Sequence, residues 1–393
     1  MINQIGITQF AFNARAVRSA PTPALVDWLG RATPGKVRRL LGLCPKHQMT
    51  PLLRLDSLAR ELGTAAIYAK DESNRLGLGS FKALGGAYVV AELVLQWSSE
   101  ALARDVAPHE ILTDPVRKAV QNRTLCCATD GNHGRSVAAG ARLFGCKAVI
   151  FVHSGVADFQ RARLCELGAR IVVVPGNYDD SVDACARAAV SNGWQLVSDT
   201  SWDSDQRIPA RVMRGYTVLI DEALSQLDTP LTHIFVQGGV GGLAGAVAGY
   251  LAVRFGDERP RVVIIEPDRA NCLLASARAG LATRVAAGDT TVMAMLECFR
   301  PSDTAWPVIE RYVDAFLSLS DEAAIAGTRL LANPMGADPI ISTSASGGAG
   351  VAGLIGALRE PRLRCALHLD HQSRILAIIT EGNDGSSPDR VEC

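Results

Sequence analysis

One alternation constrains this chain more than any other feature. From about residue 64 onward, short β-branched runs are followed by alanine-rich stretches with helical spacing. The strand candidates are AAIYAK (65–70), TLCCAT (124–129), KAVIFV (147–152), RIVVVP (170–175), QLVSD (195–199), HIFVQ (233–237), RVVIIEP (261–267) and RILAIIT (374–380). Several are apolar throughout, the pattern of parallel strands covered on both faces. Helical stretches fall between them at 133–145, 158–168, 181–193 and 241–256. This βαβ series predicts an α/β fold of parallel sheets flanked by helices, with ligands at the carboxyl ends of the strands. The stretch from about 286 to 345 is less regular and reads as a lid or an interface.

Composition narrows the function classes. A chain of 393 residues holds two domains or one large α/β unit. Lys+Arg and Asp+Glu are both 40, so no basic excess points to nucleic acid and no acidic tail points to disorder. Ten cysteines are too dilute for a disulfide scaffold, and without a C-x-x-C pair they give no zinc signature. Residues 1–20 carry Arg15 and Arg18 but no continuous apolar core, so no signal peptide is expected. The longest apolar run, Val240–Val253, is glycine-rich and too short to span a bilayer. The expected setting is the reducing cytoplasm, with no membrane, nucleic-acid or metal partner.

Four stretches carry candidate chemistry. SFKALGGAY (80–88) isolates Lys82, whose nearest charged neighbours in sequence are Arg75 and Glu92. An amine in apolar surroundings is costly to protonate, which makes a Schiff-base nucleophile. The plainer alternative is a lysine whose stem lies along a helix while its head reaches water. ATDGNHGRSVA (128–138) runs from a strand through a glycine turn into a helix. There Asp130 can act as a base and Asn132 as a hydrogen-bonding arm, or either can cap the helix. FVQGGVGGLAGA (235–246) places Gly238, Gly239, Gly241 and Gly242 at a helix N-terminus, a phosphate cradle or a tightly packed helix entry. It also contains Gly239-x-Gly241-x-x-Ala244, and the next strand ends at Glu266. That pair supports a rival reading, an NAD-dependent oxidoreductase with Glu266 on a ribose. IITEGNDG (378–385) ends an apolar strand at Thr380, whose hydroxyl can meet a ring nitrogen or simply begin a turn. An amine, a donor arm, a phosphate cradle and a neutral hydroxyl are together what pyridoxal 5′-phosphate requires of a protein.

These motifs resemble the fold-type II pyridoxal-phosphate enzymes, the threonine dehydratase and tryptophan synthase β superfamily. RLGLGSFKALGGAY, CCATDGNHGRSVA, VIIEPDRANCL and LANPMGADPIIS are similar to the diaminopropionate ammonia-lyase branch. The resemblance covers about residues 20 to 384. It implies two open, twisted, mostly parallel sheets flanked by helices, with the cofactor in the interdomain cleft. It implies a large domain of 1–88 and 190–393, a small domain of 89–189, and a homodimer. It assigns Lys82 to the Schiff base and Asn132 to the cofactor's phenolic oxygen. Gly238, Gly239, Val240, Gly241 and Gly242 fall to the phosphate, Thr380 to the pyridine nitrogen, and Asp130 and Asp199 to acid–base work. The implied reaction is β-elimination of 2,3-diaminopropionate to pyruvate and two ammonia, through aminoacrylate.

Two departures from the family pattern bear on substrate. Ala345 replaces the carboxylate of a Gly-Glu-Ser-Gly stretch, and AMLECFRP (294–301) replaces a small-residue stretch with Glu297, Phe299 and Arg300. A serine/threonine dehydratase and a β-substituting biosynthetic enzyme therefore remain as alternatives within the same chemistry. A non-catalytic amino-acid sensor would have lost Lys82 or Asp130. Cys272 and Cys298 fall where the family often has cysteines and are expected as two buried thiols. His133 reads as a structural polar group, Trp202 and Trp306 as packing residues, and His368 and His371 as a solvated loop.

Overall fold

The structure is a computed structural model describing residues 2–129, 131–201 and 205–383. Its strands are β1 (Ile7–Phe12), β2 (Leu52–Arg54), β3 (Ala66–Asp71), β4 (Thr124–Ala128), β5 (Lys147–His153), β6 (Arg170–Val174), β7 (Gln195–Leu196), β8 (His233–Gln237), β9 (Arg261–Pro267), β10 (Ala315–Leu319) and β11 (Arg374–Ile379). They form a seven-stranded sheet in the order β1-β10-β9-β8-β11-β3-β2 and a four-stranded sheet in the order β6-β5-β4-β7. The edge strands β1 and β2 run antiparallel to their neighbours, and the strands between them are parallel. The small sheet is parallel throughout.

Strands β8 and β10 are buried at every position, as their unbroken apolar sequences require. Two hydrophobic clusters cover the faces of the large sheet, one containing Ile234, Val236 and Ile264 and the other Phe235, Val263 and Ile265. Successive residues of one strand thus feed opposite cores, as the pleat dictates. The helices that shape the site are α1 (Lys82–Leu102), α2 (Asn132–Phe144), α3 (Asp158–Glu166), α4 (Arg207–Ser225), α5 (Gly242–Phe255), α6 (Cys272–Ala279), α7 (Asp321–Ala332) and α8 (Ala345–Arg359).

The glycines after Lys82 have a packing reason. A Cβ at Gly85 would lie 2.6 Å from Val212 Cγ1, and one at Gly215 would lie 2.7 Å from the Gly85 Cα. Helices α1 and α4 therefore cross with their backbones nearly touching, which only glycine permits.

The eight expected strands are all present, although QLVSD contributes only two residues as β7. Three strands escape the sequence reading. Strand β2 is three residues long, and β1 is half-exposed on alternate positions at a sheet edge. Strand β10 lies inside the stretch read as irregular, which also holds the helix Trp306–Tyr312 and α7. The small sheet takes its strands from residues 124 to 196, so β7 joins it beyond the expected boundary at 189.

Candidate active site

Neighbouring parallel strands bring distant loops together at their carboxyl ends. Because β8, β11 and β3 are adjacent, the glycine loop after β8, Thr380–Glu381 after β11 and the loop that leads from β3 to Lys82 lie side by side. The Phe81 amide donates to Thr380 O at 2.9 Å, the Gly382 amide to Gly79 O at 3.1 Å, and Ser80 bridges Glu381 in antiparallel register. Residue 82 is thereby held at the first turn of α1.

An ammonium at a helix N-terminus faces the positive end of the dipole, so it needs a counter-charge. Asp199 provides it: Lys82 Nζ donates to Asp199 Oδ2 at 2.7 Å, across 117 residues of sequence. The apolar setting expected for Lys82 is therefore only part of its surroundings. Burial pushes the Asp199 carboxyl up, but the Lys82 ammonium and then His133 outweigh burial and hold it well below the usual carboxylate range. His133 is buried, with Nε2 2.7 Å from Val197 O and Nδ1 3.9 Å from Asp199 Oδ2. Its position at the start of α2 agrees with a structural group, but it also faces Asp199.

The glycine loop wraps the start of α5. Gly241 has φ +101°, and a Cβ there would lie 2.5 Å from Ile309 Cδ1. A Cβ on Gly239 would meet Cys298 Sγ at 3.2 Å, and one on Gly238 would meet Ile264 Cγ2 at 2.6 Å. Val240 O accepts from the Ser302 amide at 2.8 Å, which ties the loop to residues 300–305. The Gln237 side chain donates to Gly347 O at 2.7 Å and Ile378 O at 2.8 Å, joining β8, β11 and α8 beneath the loop.

Asn132, buried at the start of α2, donates through Nδ2 to Glu381 Oε2 and accepts at Oδ1 from Arg135 Nη2. Thr380 is buried at the end of β11. Asp130 and Trp202 lie outside the described residues. Trp306 packs in the core, as expected.

Lys82, Asp199, Asn132, the glycine loop and Thr380 thus all stand at the carboxyl ends of strands or the helix starts that follow them. Glu381, Arg135 and Ser344 were not singled out from sequence. Glu381 directly follows Thr380, yet its partners Asn132 and Ser344 carry no local sign of it. A cleft of about 350 Å³ separates the loop at 73–79 from α3, and Arg135, Arg163 and Glu166 line it.

Two further expectations meet the structure here. Glu266 is fully buried, and its two oxygens accept the Leu273 and Leu274 amides at 2.8 Å each, at the start of α6. Burial pushes its carboxyl up to about 8. Its oxygens are committed to a helix cap, which removes the ribose contact that the NAD reading required. Cys272 and Cys298 are not joined by a disulfide; Cys272 is buried, whereas Cys298 is half-buried against the glycine loop. The two departures from the family pattern meet in space. Ala345 opens α8, and the Met295 amide donates to the adjacent Ser346 Oγ at 3.1 Å.

The chemistry of this donor set fits pyridoxal phosphate. A paired lysine amine, a glycine loop packed too closely for side chains at Gly238 and Gly241, and an oriented amide converge on one place. The profile of the pyridoxal-phosphate dependent enzymes matches residues 43–381, and the chain belongs to that family. Within it, the chain is 37% identical over 344 residues to the diaminopropionate ammonia-lyase of Escherichia coli (strain K12), covering 86% of this chain and 85% of that protein. The Salmonella typhimurium (strain LT2) diaminopropionate ammonia-lyase is 34% identical over 396 residues, covering 98% and 97%. The crystal structure of the Escherichia coli enzyme in complex with an aminoacrylate-PLP azomethine reaction intermediate superposes with a TM-score of 0.85 at 32% identity, covering 96% of this chain and 95% of that one. These likenesses place the chain in the diaminopropionate ammonia-lyase branch.

Proposed function

We propose that this protein is a pyridoxal-phosphate-dependent carbon–nitrogen lyase that converts 2,3-diaminopropionate and water to pyruvate and two ammonia. The observation that carries this reading is the partly buried Lys82–Asp199 pair beside the glycine loop. The bound cofactor supplies an electron sink that acidifies the substrate's Cα–H and lets the β-amine depart.

The chain's own residues do the rest. Lys82 Nζ would be the nucleophile that attaches the cofactor and, once released, would serve as a base. Asp199 is ionised because Lys82 is charged. Held ionised beside Lys82, Asp199 is placed to accept a proton from the lysine amine and to return it. Asp130, which the sequence assigns to acid–base work, is the second base of this reading. Gly238, Gly239, Val240, Gly241 and Gly242 hold the phosphate on backbone amides at the start of α5. Asn132 would donate to the phenolic oxygen, and Thr380 would offer the pyridine nitrogen a neutral hydroxyl. The large domain would be formed by 1–88 and 190–393 apart from β7, and the small one by 89–189 with β7 added, with the cofactor between them. The working form is a cytoplasmic homodimer. Among the described residues, no helix is long and apolar enough to cross a membrane.

The test is pyruvate release by cofactor-loaded protein from D- and L-2,3-diaminopropionate, with L-serine and L-threonine alongside. Rapid pyruvate from diaminopropionate, abolished by Lys82→Ala, is the expected result. Turnover of the hydroxy amino acids alone would overturn the substrate and point to Ala345 and residues 294–301. In the same assay Asp130→Asn is expected to slow one enantiomer far more than the other. Equal losses on both would remove the two-base arrangement.

A further inference from the structure

We infer that Glu381 is a positioning residue that sets the orientation of Asn132 toward the cofactor's phenolic edge. The inference rests on Asn132 bonding the phenolic oxygen and extends that role to the residues that hold its amide. A primary amide has one acceptor end and one donor end, and a half-turn about its last bond exchanges them. Nothing in an isolated Asn132 decides which end faces the site. Here both ends are committed. Arg135, one turn along α2, donates to Oδ1, and a guanidinium has no acceptor, so that end must be oxygen. Glu381 accepts from Nδ2, and a carboxylate has no donor, so the other end must be nitrogen. One of the two Nδ2 hydrogens is spent on Glu381. The second remains for an acceptor in the site.

Glu381 is itself held. Its Oε1 accepts from Ser344 Oγ at 2.5 Å, its backbone carbonyl accepts from Thr343 Oγ1 at 2.6 Å, and its backbone bridges Ser80 in the lysine loop. The arrangement links α2, which belongs to the small-sheet side, to β11, α8 and the lysine loop on the large-sheet side. Arg135 and Glu381 are both buried, and their opposite charges flank the Asn132 amide. Each compensates the other's burial, which is the condition for keeping charges in such a place.

The test compares Glu381→Ala, Glu381→Gln, Ser344→Ala and Asn132→Ala with the natural protein. Two quantities are read: the dissociation constant for pyridoxal phosphate added to cofactor-free protein, and the absorption bands of the bound cofactor at saturation. Those bands report the protonation of the phenolic oxygen and its neighbouring imine, which a merely structural role would not move. Glu381→Ala and Asn132→Ala are expected to weaken binding by about fivefold to tenfold, the effect of losing one oriented hydrogen bond, and to shift the ratio of bands alike. Glu381→Gln keeps an acceptor for Asn132 and is expected to restore most of the shift. Ser344→Ala, which frees Glu381 Oε1 and also removes the Gly347 cap of α8, is expected to shift it less and covers the case in which Glu381→Ala fails to fold. If Asn132→Ala moves both quantities while the Glu381 and Ser344 variants leave them unchanged, the inference is overturned. If Asn132→Ala moves neither, the role given to Asn132 is overturned as well.

Discussion

Replacing Gly241 by alanine separates two costs that the glycine loop avoids. The first is conformational: φ is +101° at this position, and an L-residue held in the left-handed region costs about 1–2 kcal/mol. The second is steric. The new Cβ would lie 2.5 Å from Ile309 Cδ1 and 3.4 Å from Ala305 Cβ and Leu273 Cδ2. Ile309 must then move within a packed core, at about 1–3 kcal/mol. About 3.5 kcal/mol in all is the centre of the two together. For 393 residues the unfolding entropy is about 0.8 kcal/mol/K, so the melting temperature is expected to fall by about 4 °C. Gly242→Ala is the matched control. Its Cβ would meet Tyr216 Cε2 at 3.7 Å and Asp199 O at 3.9 Å, ordinary contacts with no positive φ. It places a methyl in the cradle without straining the fold. Calorimetry of both variants, with cofactor titration by fluorescence, resolves the contributions. Gly241→Ala should lose stability and affinity, and Gly242→Ala chiefly affinity. If Gly241→Ala melts within about 1 °C of the natural protein, or Gly242→Ala is the less stable of the two, the reasoning fails.

Two other predictions concern buried charge. His233 is buried between Leu367 O at 2.8 Å and Thr232 Oγ1 at 2.8 Å, and burial lowers its pKa from 6.5 to about 4. The folded state therefore resists a proton that the unfolded chain accepts, so stability is lost as pH falls from about 6.5 to about 4, by about 3 kcal/mol in total. Urea midpoints for the natural protein and His233→Gln should converge across that window, and parallel curves would contradict it. Glu222 pairs with Lys70 at 3.1 Å and Arg75 at 2.6 Å, and Arg75 also holds Glu72 at 2.7 Å, with all four side chains buried. Glu222→Ala leaves an uncompensated cation and is expected to cost about 3–5 kcal/mol. A loss below about 1 kcal/mol by chemical denaturation would mean that water reaches the cluster.

Much of this protein is legible in its amino-acid sequence. The apolar runs of β8, β9 and β11 announce covered parallel strands, because burial on both faces leaves no room for alternating polarity. The glycine loop, the isolated Lys82 and the DGNHG turn are local in sequence, so the chemistry they support can be read from a few adjacent letters. Strand β10 was not visible because its five residues are squeezed between the helix Trp306–Tyr312 and α7, too short a run to stand out from its neighbours. Glu266 shows the opposite hazard. Its place at a strand end suggested a ribose, and only its bonds to the Leu273 and Leu274 amides show that it caps a helix.

Sequence by itself determined the α/β alternation, the cofactor class and the loops that would carry it. It did so because periodicity, glycine turns and helix starts act over a few residues. The tertiary structure alone decided which side chains meet. Asp199 reaches Lys82 across 117 residues, and Glu381 reaches Asn132 across 249. Such pairs depend on strand order, which places β11 between β3 and β8, and on the helix start after β4 meeting the end of β11. Nothing in the local spacing of the letters encodes that order, because it comes from burying two faces of one sheet at once.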